Sequence, residues 1–164
     1  MSFTRLMPFD QVLPGRFLPT FSLRSTANQR IRSGDLFGTR LVLAFTDGVD
    51  DTLTRAMLTE LKAVYPLLVM AGGTALAIAP VNADTGFLVE PGVAVPYPVL
   101  RDIAADVHRQ YGAVDWSGQP AASVFISDRS QRVIYRALSG LGERLPTGRD
   151  VLSLIEFDRL SPNH

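Results

Sequence analysis

The stretch Asp47-Gly48-Val49-Asp50-Asp51-Thr52, with Thr54 two residues further on, holds the densest set of groups able to do chemistry in this chain. Three carboxylates so close together could cradle a divalent cation, because hard ions collect several carboxylate oxygens. They could equally act as an acid or base. The same residues also read as a turn at Gly48 followed by helix capping, which alone accounts for the glycine and the paired aspartates. Capping is the expectation, with no bound metal. A Ser/Thr nucleophile would need a base near Thr52 or Thr54, and only His108 and His164 exist. His108 lies between Val107 and Arg109 in a helical stretch and is expected to be solvated, so no catalytic triad follows. Two histidines also make a zinc site poor in ligands.

Other motifs resolve similarly. The strand-then-Asp arrangement invites comparison with the D-x-D-x-T pattern of haloacid-dehalogenase phosphatases. Asp47 is followed two on by Val49, however, and the pattern fails. Gly72-Gly73-Thr74 precedes a strand instead of opening a helix, so its amides do not cradle a phosphate. Trp116, with Tyr111 and Tyr97, could line a small pocket, against the alternative of core packing or a dimer contact.

The sequence contains no cysteine, which excludes disulfides, thiolate metal sites and thiol redox chemistry. At 164 residues and 46% apolar it is expected to form one domain, residues 1–164, around a substantial core. Sixteen basic residues balance sixteen acidic ones, so no general pull toward nucleic acid or an anionic membrane is expected. The signs are uneven. Residues 1–40 carry six Arg against two Asp, residues 41–128 four basic against ten acidic, and residues 129–164 six against four. Such asymmetry could let complementary faces meet in a dimer. Residues 1–15 lack an apolar stretch behind a basic start, so the expected location is cytoplasmic. Ala63 to Ala83 is uncharged, but Pro66, Gly72, Gly73 and Pro80 are expected to break it into a helix end, a turn and a strand, not a membrane span.

These groups must be positioned by an alternating set of elements. Phe17–Leu23 and Arg30–Arg32 flank a polar turn as a hairpin would. Leu41–Phe45 is a continuous apolar run, the pattern of a strand buried on both faces. A helix follows, with a cap at Asp50, Asp51 or Thr52 and a stripe of Leu53, Met57, Leu61 and Val64. Thr74–Pro80 is a second buried strand, Asn82–Glu90 a polar turn or short helix, and 91–98 an irregular crossing. Asp102 is expected to cap a helix with Ile103, Val107 and Tyr111 inward, ended by Gly112. Ser123–Ser127 and Arg132–Ala137 form an antiparallel hairpin, and Thr147 with Asp150 opens a last helix through a capping box, with Val151, Leu154 and Ile155 turned inward. A mixed α/β sheet with helices on both faces follows.

Six segments carry a family resemblance: Gly15–Leu23 (GRFLPTFSL), Leu36–Phe45 (LFGTRLVLAF), Ala75–Pro80 (ALAIAP), Tyr97–Asp102 (YPVLRD), Val107–Gly112 (VHRQYG) and Ser123–Asp128 (SVFISD). In this order and spacing they resemble the peroxiredoxin (AhpC/TSA) branch of the thioredoxin-like proteins. The resemblance implies a thioredoxin-like fold, a mixed central sheet flanked by helices, with a peroxiredoxin-type N-terminal β-hairpin. It also implies homodimers built through sheet edges or the active-site face. It further implies a reactive cysteine in the first helical turn after the Leu41–Phe45 strand, where free amides and a partial positive charge favour a thiolate. Counted from Phe45, the family's proline, threonine and cysteine positions fall at Asp47, Asp51 and Thr54, and its later arginine at Ala122. A C-x-x-C register also lands on Asp51 and Thr54. All have lost that chemistry, since a threonine has no sulfenate-like redox cycle. The expectation is a protein inactive as a cysteine peroxidase or disulfide reductase, needing no cofactor, that acts by binding an unknown protein or small molecule at the vacated site. Asp47, Asp50, Asp51, Thr52, Thr54 and Trp116 are the candidate ligand contacts.

Overall fold

The computed structural model describes residues 12–47, 52–81 and 94–161. The N-terminal hairpin forms as expected, from β1 (Ser22–Ser25) and β2 (Arg30–Arg32), with Asn28 in the left-handed region at φ 62°. Phe17 lies outside it and makes an isolated bridge to Arg132. β3 (Arg40–Phe45) is buried along its whole length and feeds toward α1 (Thr52–Met70).

Pro66 does not end that helix. It sits inside α1, which continues to Met70 because Leu68, fully buried beyond it, keeps the last turn packed on the sheet. The inward stripe also differs from the expected one. Thr54, Met57, Leu58, Leu61 and Leu68 are buried, whereas Leu53 is exposed and Val64 half-buried. The chain then turns at Gly72 (φ 80°), a conformation that favours glycine, into β4 (Gly73–Val81). The expected turn or helix at Asn82–Glu90 lies outside the described residues.

One strand was not expected. Val99–Ile103 forms β5, parallel to β4 and antiparallel to β1. Its three preceding prolines mask a strand that exists because two neighbours supply its hydrogen bonds. The following helix, α2 (Asp106–Tyr111), therefore starts later than expected, and Ile103 faces solvent at 52% exposure instead of the core. The N-cap position of α2 is Ala105 and not the expected Asp102, yet Asp102 reaches the free amides of the first turn from near the end of β5. Its carboxylate accepts from the amides of Val107 (3.0 Å) and His108 (2.8 Å). Gly112 closes the helix with φ 73°.

β6 (Ser123–Ser127) and β7 (Val133–Leu138) form the late hairpin, its turn held by Asp128, whose carboxylate accepts from the amides of Ser130 and Arg132. α3 (Gly148–Leu160) opens with the capping box anticipated at Thr147 and Asp150. Val151 and Ile155 are fully buried and Leu154 partly so. Replacing Thr147 with alanine should destabilise the protein by about 1 kcal/mol in thermal or urea unfolding. The hydrogen bonds from the Thr147 amide and hydroxyl hold the Asp150 carboxyl below its ordinary range. A carboxyl depressed on folding contributes stability above its unfolded value and loses it as pH falls through the folded one. The Thr147→Ala deficit should accordingly shrink under acid.

The sheet has seven strands in the order β2-β1-β5-β4-β3-β6-β7. β3 lies between parallel β4 and antiparallel β6 and alternates its side chains. Leu41, Leu43 and Phe45 join Val107 and Tyr111 of α2 in one core, while Val42 and Ala44 join Met57, Leu58, Leu61, Val151 and Ile155 of α1 and α3 in the other. Helices thus cover both faces. Gly148 lets α3 approach α1 closely, since a Cβ there would stand 2.5 Å from the Glu60 carbonyl oxygen.

Candidate functional site

The end of β3 and the first turn of α1 create the position where chemistry was sought. Thr46 directly follows the strand, its amide donating to the Ile78 carbonyl at 2.9 Å. Asp47 follows, 8% exposed, and its amide lies 3.4 Å from the Thr54 hydroxyl. Thr54 itself is buried. Its hydroxyl therefore ties the end of β3 to the helix and does not open to solvent. Thr52 is exposed at the helix start, and Ala122 is buried just before β6. Asp50 and Asp51 lie outside the described residues, so no geometry of the three-carboxylate loop is stated. Among the described residues no group of three His, Asp or Glu side chains is placed to hold a metal ion.

The three aromatic residues do not share a pocket. Tyr111 is buried in the α2-side core and donates its hydroxyl to the Pro19 carbonyl at 2.5 Å. Tyr97 belongs to the opposite core and donates to the Leu58 carbonyl at 3.0 Å. Burial pushes both phenols well above the usual tyrosine range. Trp116 stands 68% exposed on a turn organised by Asp115. Hydrogen bonds to that carboxylate, led by the Ser117 hydroxyl and then the Gln119 amide, hold Asp115 below the ordinary range.

His108 departs furthest from expectation. It is fully buried, not solvated. Nδ1 lies 2.7 Å from Asp102 Oδ2, and Nε2 lies 2.8 Å from the Thr46 carbonyl oxygen. The ring meets Phe45 edge to face, with centroids 5.0 Å apart. A carbonyl can only accept, so Nε2 carries a hydrogen. Asp102 Oδ2 faces the other ring nitrogen at hydrogen-bond distance, so both nitrogens of the buried ring are partnered. This buried link joins β5 and α2 to the end of β3, directly before Asp47. Asp102 lies near the end of a strand and His108 sits in the following helix, so their meeting depends on the tight turn at Ala104 and Ala105 and not on the periodicity of one element, which is why the sequence did not reveal it. Beside this link, the Thr46 hydroxyl is buried without a hydrogen-bond partner among the described residues.

The sequence matches the AhpC/TSA family over residues 14–136, three quarters of the chain. This protein belongs to the AhpC/TSA family. No curated protein sequence matches it. Among solved structures, AhpC of Enterococcus faecalis superposes with a TM-score of 0.73 at 15% identity, covering 93% of this chain and 95% of that one. A PrxQ mutant of Xylella fastidiosa gives 0.69 at 14% identity, over 89% and 96%. The exposed lipoprotein thioredoxin of Streptococcus pneumoniae gives 0.63 at 15%, over 85% and 99%. The fold is thioredoxin-like, as the resemblance implied. This AhpC/TSA-family protein nevertheless has no cysteine anywhere in its sequence. Among the described residues no helix is long and apolar enough to cross a membrane.

Proposed function

We propose that this AhpC/TSA-family protein does not reduce peroxides or disulfides through its own residues and acts by binding. In this reading it is a single-domain, cytoplasmic homodimer whose ligand or partner protein engages the region around Asp47, Asp50, Asp51, Thr52, Thr54 and Trp116. The carrying observation is the complete absence of cysteine in a chain that retains the family's architecture. The burial of Thr54 supports it, because a hydroxyl packed against the end of β3 is neither nucleophilic without an adjacent base nor accessible to a peroxide. His108 cannot be that base. Both its nitrogens are engaged, and it faces Asp102 and the Thr46 carbonyl.

The test uses the purified native protein with hydrogen peroxide or a disulfide substrate and a dithiol reductant. Consumption should equal that of the protein-free reaction. Turnover that scales with protein concentration and survives repurification would refute the reading. Sedimentation at several concentrations tests the dimer separately, and a monomer throughout would remove that part.

A further inference from the structure

The β2-β1-β5 edge of the sheet carries an alignment of basic residues outside the helix-tip region. Arg30 of β2 is the register partner of Arg24 on β1, and Arg24 is in turn the partner of Arg101 on β5. Directly opposed residues in antiparallel pairs point to the same face, with Cβ atoms roughly 4.5–5.5 Å apart. Three arginines therefore stand in a row across three strands. Arg32, two residues from Arg30, adds a fourth on the same face.

Like charges placed opposite one another destabilise a sheet, and no described carboxylate pairs with them. Among the described residues, none of these four arginines takes part in an ion pair. Arg24 and Arg30 reach only neutral acceptors, the Asn28 carbonyl and the carbonyl and hydroxyl of Ser22, each at 3.3 Å. Arg101 is half-buried, and its Nε is a buried donor with no partner among the described residues. Leaving a guanidinium partly desolvated and unsatisfied is costly unless an anion completes it. A cavity of about 420 Å³ adjoins the row, lined by Ser25, Thr26, Gln29, Val95, Tyr97 and Val99. Val99 precedes Arg101 by two residues on the same strand face and Ser25 follows Arg24, so the cavity lies beside the row, although no arginine lines it.

We infer that the Arg30–Arg24–Arg101 row binds a small molecule bearing a chain of two or three phosphoryl groups, with its organic part in the adjacent cavity. Guanidinium forks match phosphoryl oxygens in bidentate geometry, and strands spaced about 4.8 Å apart present successive forks along a line. An oligophosphate offers oxygens at successive points along such a line, whereas a single carboxylate would engage one arginine. The inference does not depend on the helix-tip reading.

The test is thermal unfolding and calorimetric titration of the full chain with inorganic tripolyphosphate, with citrate as a carboxylate comparison. Tripolyphosphate should raise the melting temperature progressively with concentration, more strongly than citrate, and less as salt is added. R24Q and R101Q should each weaken binding at least tenfold. Without ligand, R24Q should melt at or above the native temperature, because it relieves repulsion, so lost binding would not reflect misfolding. R149Q, an exposed arginine on α3, should bind like the native chain. No response at millimolar tripolyphosphate in low salt would overturn the proposal, as would a response that R24Q and R101Q leave unchanged.

Discussion

Replacing His108 with alanine is expected to destabilise the protein by about 3–5 kcal/mol, the cost of breaking a buried pair by removing one partner. The imidazole is 0% exposed and is hydrogen-bonded at both nitrogens, to Asp102 Oδ2 and to the Thr46 carbonyl oxygen. Its removal strands a buried carboxyl, unpairs a carbonyl and leaves a void against Phe45. Asp102→Ala should cost at least as much, because Asp102 also accepts from the amides of Val107 and His108, and both donors would be left without it. Urea unfolding of the two variants provides the check. A His108→Ala protein within about 0.5 kcal/mol of native, the range of an ordinary surface substitution, would show that the link carries no structural weight.

The second large effect concerns the other buried pair. Arg40 opens β3 and Asp158 lies near the end of α3, with Nε 2.6 Å from Oδ2 and both residues almost wholly buried. Asp158→Ala should destabilise by about 3–5 kcal/mol, since the guanidinium loses its carboxylate where water cannot replace it. Replacing the pair together, Arg40→Met with Asp158→Leu, should be close to neutral or stabilising, because the desolvation penalty of both charges disappears with them. A double-mutant cycle in urea separates these outcomes. If the double variant is as unstable as Asp158→Ala, the pair contributes more than its own desolvation, and this account of it is wrong.

The sequence carried the local grammar of the fold. Leu41–Phe45 and Thr74–Pro80 are uninterrupted apolar runs, and only burial on both faces accommodates such strands. The polar turns of both hairpins and the Thr147–Asp150 capping box are likewise short-range signals whose hydrogen bonds form within a few residues. Where a signal competed with tertiary contacts, it misled. Pro66 reads as a stop, yet packing of Leu68 carries α1 past it. The prolines before Val99 read as an irregular crossing, yet hydrogen bonding to β1 and β4 makes a strand.

The absence of thiol chemistry was decided by the sequence alone, because it concerns which atoms exist, and no folding can supply a sulfur the chain lacks. The placement of His108, and the alignment of Arg24, Arg30 and Arg101, were decided only by the tertiary structure. His108 reads as a surface residue until β5 and the end of β3 bring Asp102 and the Thr46 carbonyl against it. The arginines lie in segments of opposite charge balance, and only strand register brings them into one row. Chemistry that depends on composition is legible in one dimension, whereas chemistry that depends on non-local pairing appears only once loop closure has brought distant segments together.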